Sequence, residues 1–315
     1  MSVRTRWWTV IRAEYPLYYN LSFGAIESMK TRWKSSLLLL FLCCGVGCDD
    51  APAPQPLSAQ QKYEKAQALL KPNVENAASD VRGALQLLRE AAQAGYLPAM
   101  LDYAGIFLEG SKDGSVAKNR VEAMQWYRRA AAAGSMEAEY YIGFILYGDR
   151  KVDAAMPYFQ RAADAGIPEA QFLYGRILLQ KNDARGVDYV RRAAESDRAA
   201  TVAQAAYTMG VVCQEGRGGQ KVDLPQAVEW FKRSADAGDP RALHLVGLMY
   251  LNDKGVEQDE QKGATMLRLA AGQDYPAAIK DYITYLQSLD DPTTHADEIR
   301  AWTTRLQELQ KNAKP

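Results

Sequence analysis

A short alanine-rich segment recurs along the chain, and a fixed period of this kind constrains the fold more than any local propensity. Ala91-Ala92-Gln93-Ala94-Gly95 returns as Ala130-Ala131-Ala132-Ala133-Gly134, as Ala162-Ala163-Asp164-Ala165-Gly166 and as Ser234-Ala235-Asp236-Ala237-Gly238. Weaker copies are Ala193-Ala194-Glu195-Ser196-Asp197 and Ala270-Ala271-Gly272. A second series, Gly105, Gly143, Gly175, Gly210 and Gly247, advances by 38, 32, 35 and 37 residues. Periods of that length belong to stacked helix pairs.

Each unit reads as two helices. The first carries Ala or Met five residues before its glycine and an apolar residue just before it, as in Ala138 and Ile142 before Gly143. The second has an apolar or aromatic pair near its middle: Leu87-Leu88, Trp126-Tyr127, Tyr158-Phe159, Tyr189-Val190, Trp230-Phe231 and Met266-Leu267. Small residues at helical spacing let two backbones approach, and the aromatic rings fill the space beside them. A helix-interior glycine costs about 1 kcal/mol relative to alanine, so five in register need a packing reason. The glycine that trails each alanine run supplies a left-handed C-cap.

The segments 242–259, 123–131 and 216–231 resemble the Sel1-like repeat, a relative of the tetratricopeptide repeat. They do so through Ala242, Val246-Gly247, Tyr250 and Gly255, through Ala123, Trp126-Tyr127 and Ala130-Ala131, and through Gly216-Arg217-Gly218 with Ala227 and Trp230-Phe231. The unit at 171–203 departs most, lacking the Gly-x-Gly loop and the closing Ala-Gly. The resemblance implies an all-α fold, a right-handed α-solenoid of about six helix-turn-helix repeats over residues 60–279, the first degenerate. Residues 280–315 then cap the stack. Asp290-Asp291-Pro292 breaks the chain, Thr294 with Asp297 marks a helix start, and Ile299, Trp302, Leu306 and Leu309 share one face. Terminal repeats need such an element with a polar outer side.

Upstream of the repeats, residues 29–48 read MKTRWKSSLLLLFLCCGVGC. Lys30, Arg32 and Lys34 precede an uncharged run of eleven, 37–47. A bilayer-spanning helix needs about 20 apolar residues, so this run fits the core of a secretory signal. Gly45-Val46-Gly47-Cys48 resembles the lipobox of bacterial lipoproteins, with Gly45 where that family usually has a branched aliphatic. The resemblance implies cleavage before Cys48, lipidation of Cys48, and a membrane anchor. Residues 1–28 then read as an upstream extension, with translation expected from Met29 and residues 29–47 as the signal peptide. Residues 48–59, containing APAPQP, form a Pro-rich tether.

Charge excludes one class of partner. The chain carries 38 basic and 38 acidic residues, and removal of residues 1–47 leaves 32 and 36. No basic field points at nucleic acid. Two histidines and four cysteines are too few for a His-rich metal site or a disulfide framework. His244 takes the place of Tyr140, Phe172 and Tyr207 in sister units and reads as a ring packed between helices; His295 reads as exposed. Cys213 takes a slot filled elsewhere by Leu108, Leu146, Leu178 and Tyr250, and reads as a small buried hydrophobe. The loop 216–221 lacks the spacing of a phosphate loop, and 253–259 lacks the ligand alternation of a calcium loop. Arg128, Arg129, Arg191, Arg192, Lys232 and Arg233 follow the aromatic pairs, where helix C-termini favour cations. No catalytic constellation, cofactor or metal site emerges, so the chain reads as a non-enzyme.

One column remains for recognition. Two residues before each glycine stand Tyr103, Tyr141, Leu173, Thr208 and Leu245, where the resembling family often has a polar residue. First helices line the concave face of such arrays. These side chains either thicken the core or form a contact ladder along a groove. The function expected is a lipid-anchored scaffold on the periplasmic side of the envelope, on the inner or the outer membrane, that binds another protein. Uses open to lipoproteins of this kind include assembly of a secretion or exopolysaccharide complex, support of envelope machinery, and immunity against a secreted type VI phospholipase toxin. The rival classes are an envelope enzyme or its activator, and a cytosolic adaptor.

Overall fold

The computed structural model describes residues 56–71, 81–111, 114–289 and 292–312. The expected extension 1–28, the expected signal 29–47, Cys48 and the expected tether up to residue 55 lie outside them. Among the described residues the protein is all-helical, with fourteen α-helices and no strand. They are α1 Ala59–Leu70, α2 Val81–Gln93, α3 Leu97–Glu109, α4 Arg120–Ala132, α5 Met136–Gly148, α6 Val152–Asp164 and α7 Pro168–Gln180. After these come α8 Arg185–Ala194, α9 Ala199–Glu215, α10 Leu224–Asp236, α11 Pro240–Leu251, α12 Glu260–Gly272, α13 Pro276–Ser288 and α14 Ala296–Asn312. No described helix is long and apolar enough to cross a membrane.

Local chemistry sets the helix ends. Ser58, Asn119, Ser135, Asp223, Asp239 and Asp259 each accept a backbone N–H of the first turn, and Ser58 closes a reciprocal box with Gln61. The alanine-rich turns end on Gly95, Gly134, Gly166 and Gly238, all with φ between 89° and 94°. At the same place before α13 stands Asp274, with φ 59°. Aspartate tolerates this left-handed conformation better than most residues, so the turn forms without glycine.

From α1 to α12 each odd-numbered helix packs most closely on the one that follows, and these pairs stack in chain order. Six pairs are followed by α13, which packs more closely on α12 than on α14, and by α14. The 279/280 division therefore falls inside α13. The polar helix α14 contains no fully buried residue and lays Ile299, Trp302, Leu306 and Leu309 over the end of the stack.

The aromatic pair divides its work. Its second member is fully enclosed in every unit: Leu88, Tyr127, Phe159, Val190, Phe231 and Leu267 are at most 1% exposed. The first member is half-buried in most units and is covered by an arginine three residues on. Arg129 lies 4.5 Å from the Trp126 ring, Arg161 4.8 Å from Tyr158, Arg192 4.4 Å from Tyr189 and Arg233 5.7 Å from Trp230.

The glycine column packs onto the second members. A Cβ at Gly143 would lie 2.8 Å from the Phe159 ring, and at Gly210 2.5 Å from Phe231. At Gly175 it would meet the Gly186 carbonyl and Val190, each at 2.8 Å, and at Gly247 the Gly263 carbonyl at 3.0 Å. Gly105 does not belong to this column: a Cβ there would meet only the Tyr127 hydroxyl, at 3.6 Å. Counting four residues from the turn glycine reaches Ala99, Ala138, Ala170 and Ala242 alike, and five more reach Ala104, Gly143, Gly175 and Gly247. Ala104, fully buried, is the equivalent position. The five-glycine series is thus four glycines and one alanine.

Candidate functional site

First helices approach one another directly, α7 with α9 and α11 with α13, and no two second helices come as close. The first-helix side is therefore the inside of the curve. Helical periodicity puts one stripe of each first helix on that inner face, at spacings of three and four residues. On α3 the stripe is Asp102, Gly105 and Glu109; on α5 it is Glu137, Tyr141 and Phe144; on α7 it is Glu169, Leu173 and Arg176.

The expected ladder is placed as follows. Tyr103 is 6% exposed and is out of register: it matches Ile142, Tyr174, Met209 and Val246, the buried position before the close-packing residue. It sits edge-on to Phe107 and Trp126, with ring centroids 5.0 and 5.2 Å away. Its remaining edge lines an open groove of about 570 Å³ beside Leu85 and Arg89 of α2. The true counterpart of Tyr141 on α3 is Asp102. Tyr141, Leu173, Thr208 and Leu245 are half-buried. Tyr141 stacks on Tyr127 at 4.8 Å, Leu173 packs between the clusters of units three and four, and Leu245 packs against that of α10 and α11. Much of Tyr141, Leu173 and Leu245 serves packing between units, and the Thr208 hydroxyl bonds within its own helix, so the column is not a ladder of free contact residues.

The exposed aromatic of the inner face lies one turn further on. Phe144 is 45% exposed and continues a run of rings: Tyr127 on Tyr141, Tyr141 edge-on to Tyr140 at 5.1 Å, and Tyr140 to Phe144 at 6.1 Å. Periodicity on α5 contained this signal, since Phe144 follows Tyr141 by three residues. The packing of Tyr103 and Tyr141 was not visible without the neighbouring units.

Carboxylates surround these rings. Glu137 is solvent-accessible yet lies inside the curve, where the surrounding protein withdraws water and raises its carboxyl. Arg198 opposes that rise, and Asp102 and Glu169 add to it. Arg198 itself is paired with Glu169 at 2.9 Å. Burial pushes the Tyr141 and Tyr127 hydroxyls upward, and the charges of Glu137 and Glu109 push the same way.

Other candidates fall into structural roles. His244 is 8% exposed, bonded through Nε2 to Asp281 at 2.6 Å and edge-on to Tyr275 at 5.5 Å. Cys213 is buried, which pushes its thiol up, and the thiol donates to Gln226 Oε1 at 2.9 Å. His295 is half-exposed in a short 3-10 turn, Pro292–His295. Among the described residues no three His, Cys, Asp or Glu side chains gather as metal ligands.

The Sel1 repeat matches residues 77–96, 97–135, 137–167, 168–197, 203–239 and 240–275. The chain belongs to the Sel1 repeat family. Repeats of this family generally form non-catalytic scaffolds for protein–protein interaction, and this Sel1 array has that architecture. It aligns with a protective antigen present in uropathogenic Escherichia coli strains, c5321, at TM-score 0.69 and 22% identity. That alignment covers 80% of this chain and 54% of the antigen, so the array spans about half the antigen's length. A Sel1 repeat protein from Oxalobacter formigenes aligns at TM-score 0.65 and 22% identity, over 78% of this chain and 99% of that one. Identities this low establish the solenoid alone. The immunity protein Pa5087 of Pseudomonas aeruginosa aligns at TM-score 0.43 and 20% identity, over 70% of this chain and 83% of that one, too distant to bear on function. No curated protein matches the chain by sequence.

Proposed function

We propose that this Sel1 protein is a non-catalytic scaffold, anchored through Cys48 on the periplasmic side of the cell envelope, that holds another protein against its inner face. The observation that carries the binding surface is Phe144, an exposed ring on the inner face of an interaction-scaffold fold, continuous with Tyr140 and Tyr141. Aromatic side chains are enriched in contact surfaces because they bring large area at low entropic cost. The anchor is supported by the basic, apolar and small-residue order of 29–48 ending in cysteine.

Two experiments test the two halves. A photo-reactive amino acid at position 144 should cross-link a discrete protein in cells, whereas the same group at Val121, 69% exposed on the second helix α4, should not. Equal labelling from both positions would remove the inner face from the account. The identity of the cross-linked protein separates an envelope-complex subunit from a secreted toxin. Cys48→Ser should abolish palmitate incorporation and release the protein from membranes; undiminished membrane retention would overturn the anchor.

A further inference from the structure

Arg176 is the one arginine among the described residues that is not exposed. Its guanidinium lies 5.3 Å from the Phe172 ring of its own helix and 6.0 Å from the Tyr147 ring of α5, and Nη2 donates to the Tyr147 hydroxyl at 3.3 Å. Among the described residues no carboxylate pairs with it. Arg161 in the unit before and Arg198 in the unit after hold Glu139 at 2.7 Å and Glu169 at 2.9 Å. Arg176 Nε is the only buried side-chain nitrogen or oxygen among the described residues without a hydrogen-bond partner; Nη1, also without one, is open to solvent. A cation partly withdrawn from water without a counter-ion burdens the fold, and two ring faces and one hydroxyl offset only part of that cost. Helix packing does not require an arginine here, because the equivalent positions of the other units hold Gly105, Phe144, Val211 and Leu248. Like Phe144, Arg176 stands ten residues after its turn glycine, so it lies one unit further along the same inner column.

Resting on the scaffold reading, we infer that Arg176 is a recognition residue that takes an Asp or Glu side chain of the partner protein, while Phe144 takes an apolar side chain of the same segment. The carboxylate would arrive at the open Nη1 and supply the counter-ion that the fold omits. Charge-assisted bonds from a guanidinium to a carboxylate are among the stronger polar contacts between proteins. Phe172, Tyr147 and the Tyr147 hydroxyl hold the planar group in place before the partner arrives, so little side-chain freedom is lost on binding. A basic segment would meet like charge at this position, and a purely apolar one would desolvate the cation further without pairing it.

Selection of a random linear-peptide library, displayed without free C-termini, on the full-length protein in detergent tests this with no partner in hand. The enriched peptides should share an Asp or Glu together with an apolar residue, and changing the acid to its amide should weaken binding by about tenfold or more. Arg176→Met should cost a selected peptide a similar factor, whereas Arg128→Met, at an exposed arginine of the second helix α4, should leave it unchanged. Thermal melting of each variant controls for folding, and Arg176→Gln, which also removes the charge, keeps the test open should Arg176→Met unfold. Enriched peptides without an acid, peptides indifferent to loss of the Arg176 charge, equal losses from Arg128→Met, or an unenriched library would overturn the assignment. The cross-linking at position 144 is scored independently, so Arg176 can fail as a recognition residue while the scaffold reading stands.

Discussion

The two ends of the array and its middle use the same inner-face position differently. At the N-terminal junction Asp102 accepts from the Tyr63 hydroxyl at 2.9 Å and from Gln67, beside a Tyr63–Tyr96 ring contact at 5.3 Å. At the C-terminal junction Asp281 meets His244 Nε2 at 2.6 Å, beside a His244–Tyr275 contact at 5.5 Å. Ring, carboxylate and helix-entry tyrosine recur at both ends, although the residues and sequence contexts differ. Between them the position holds Tyr141, Leu173 and Leu245, which lean on neighbouring units, and Thr208, whose hydroxyl donates to the Gln204 carbonyl of its own helix. At this one position the ends use directional polar contacts, whereas Tyr141, Leu173 and Leu245 in the middle use apolar packing. The exposed contact surface, Phe144, belongs to the middle.

Behind both regions runs one core, and breaking it should have the largest effect. Phe231→Ala should cost roughly 3–5 kcal/mol in urea denaturation, as a fully buried large-to-small change. Trp230→Ala beside it should cost visibly less, because that ring is half-buried under Arg233. Equal losses would mean that the two members of the pair share one role. Next in size is glycine replacement. Gly210→Ala should destabilise by about 1–3 kcal/mol, since its Cβ would enter the Phe231 ring. The polar junction at the C-terminal end comes third. Asp281→Ala strands the buried His244 nitrogen and should cost about 1–2 kcal/mol, while Asp102→Ala should cost less, because Tyr63 is half-buried and water can replace the lost acceptor. A reversed order would show that the junctions are not equivalent devices.

Two smaller effects sharpen the contrast. Gly105→Ala should raise stability by up to about 1 kcal/mol, opposite in sign to Gly210→Ala, because helix propensity is gained and nothing is displaced. Glu137→Gln should raise the melting midpoint slightly at neutral pH. A carboxyl whose folded pKa lies above its unfolded value favours the folded state when protonated and opposes it when charged. The gain should therefore vanish as pH falls below the ordinary carboxylate range, and a gain that persists in acid would point to another cause.

The period, the helix pairs, the caps and the small-residue column were legible in the sequence because they are local or strictly repeated. The register of the second unit was not, because Ala104 and Gly105 are adjacent and either completes a plausible series. The constant distance from turn glycine to Ala99 resolves it, and it moves Tyr103 from the recognition column into the core. The turn that opens α13 was harder to read because Asp274 replaces the turn glycine. Burial of Tyr141, Leu173 and Leu245 depends on side chains contributed by the next unit, information that no single repeat contains. The polar junctions join residues 37 and 39 apart, and nothing in either segment alone marks its partner.

Among the described residues every substantial contact between helices joins neighbours or next neighbours along the chain. Little loop entropy has to be lost before a contact forms, which in kinetic terms favours rapid, stepwise assembly. A pair can reach its native packing as soon as its two helices and the next first helix exist, whichever end emerges first. Slow, long-range searching is absent from such a sequence of events. A chain that is made or exported gradually can thus acquire its final structure one pair at a time, with each completed pair serving as the surface on which the next condenses.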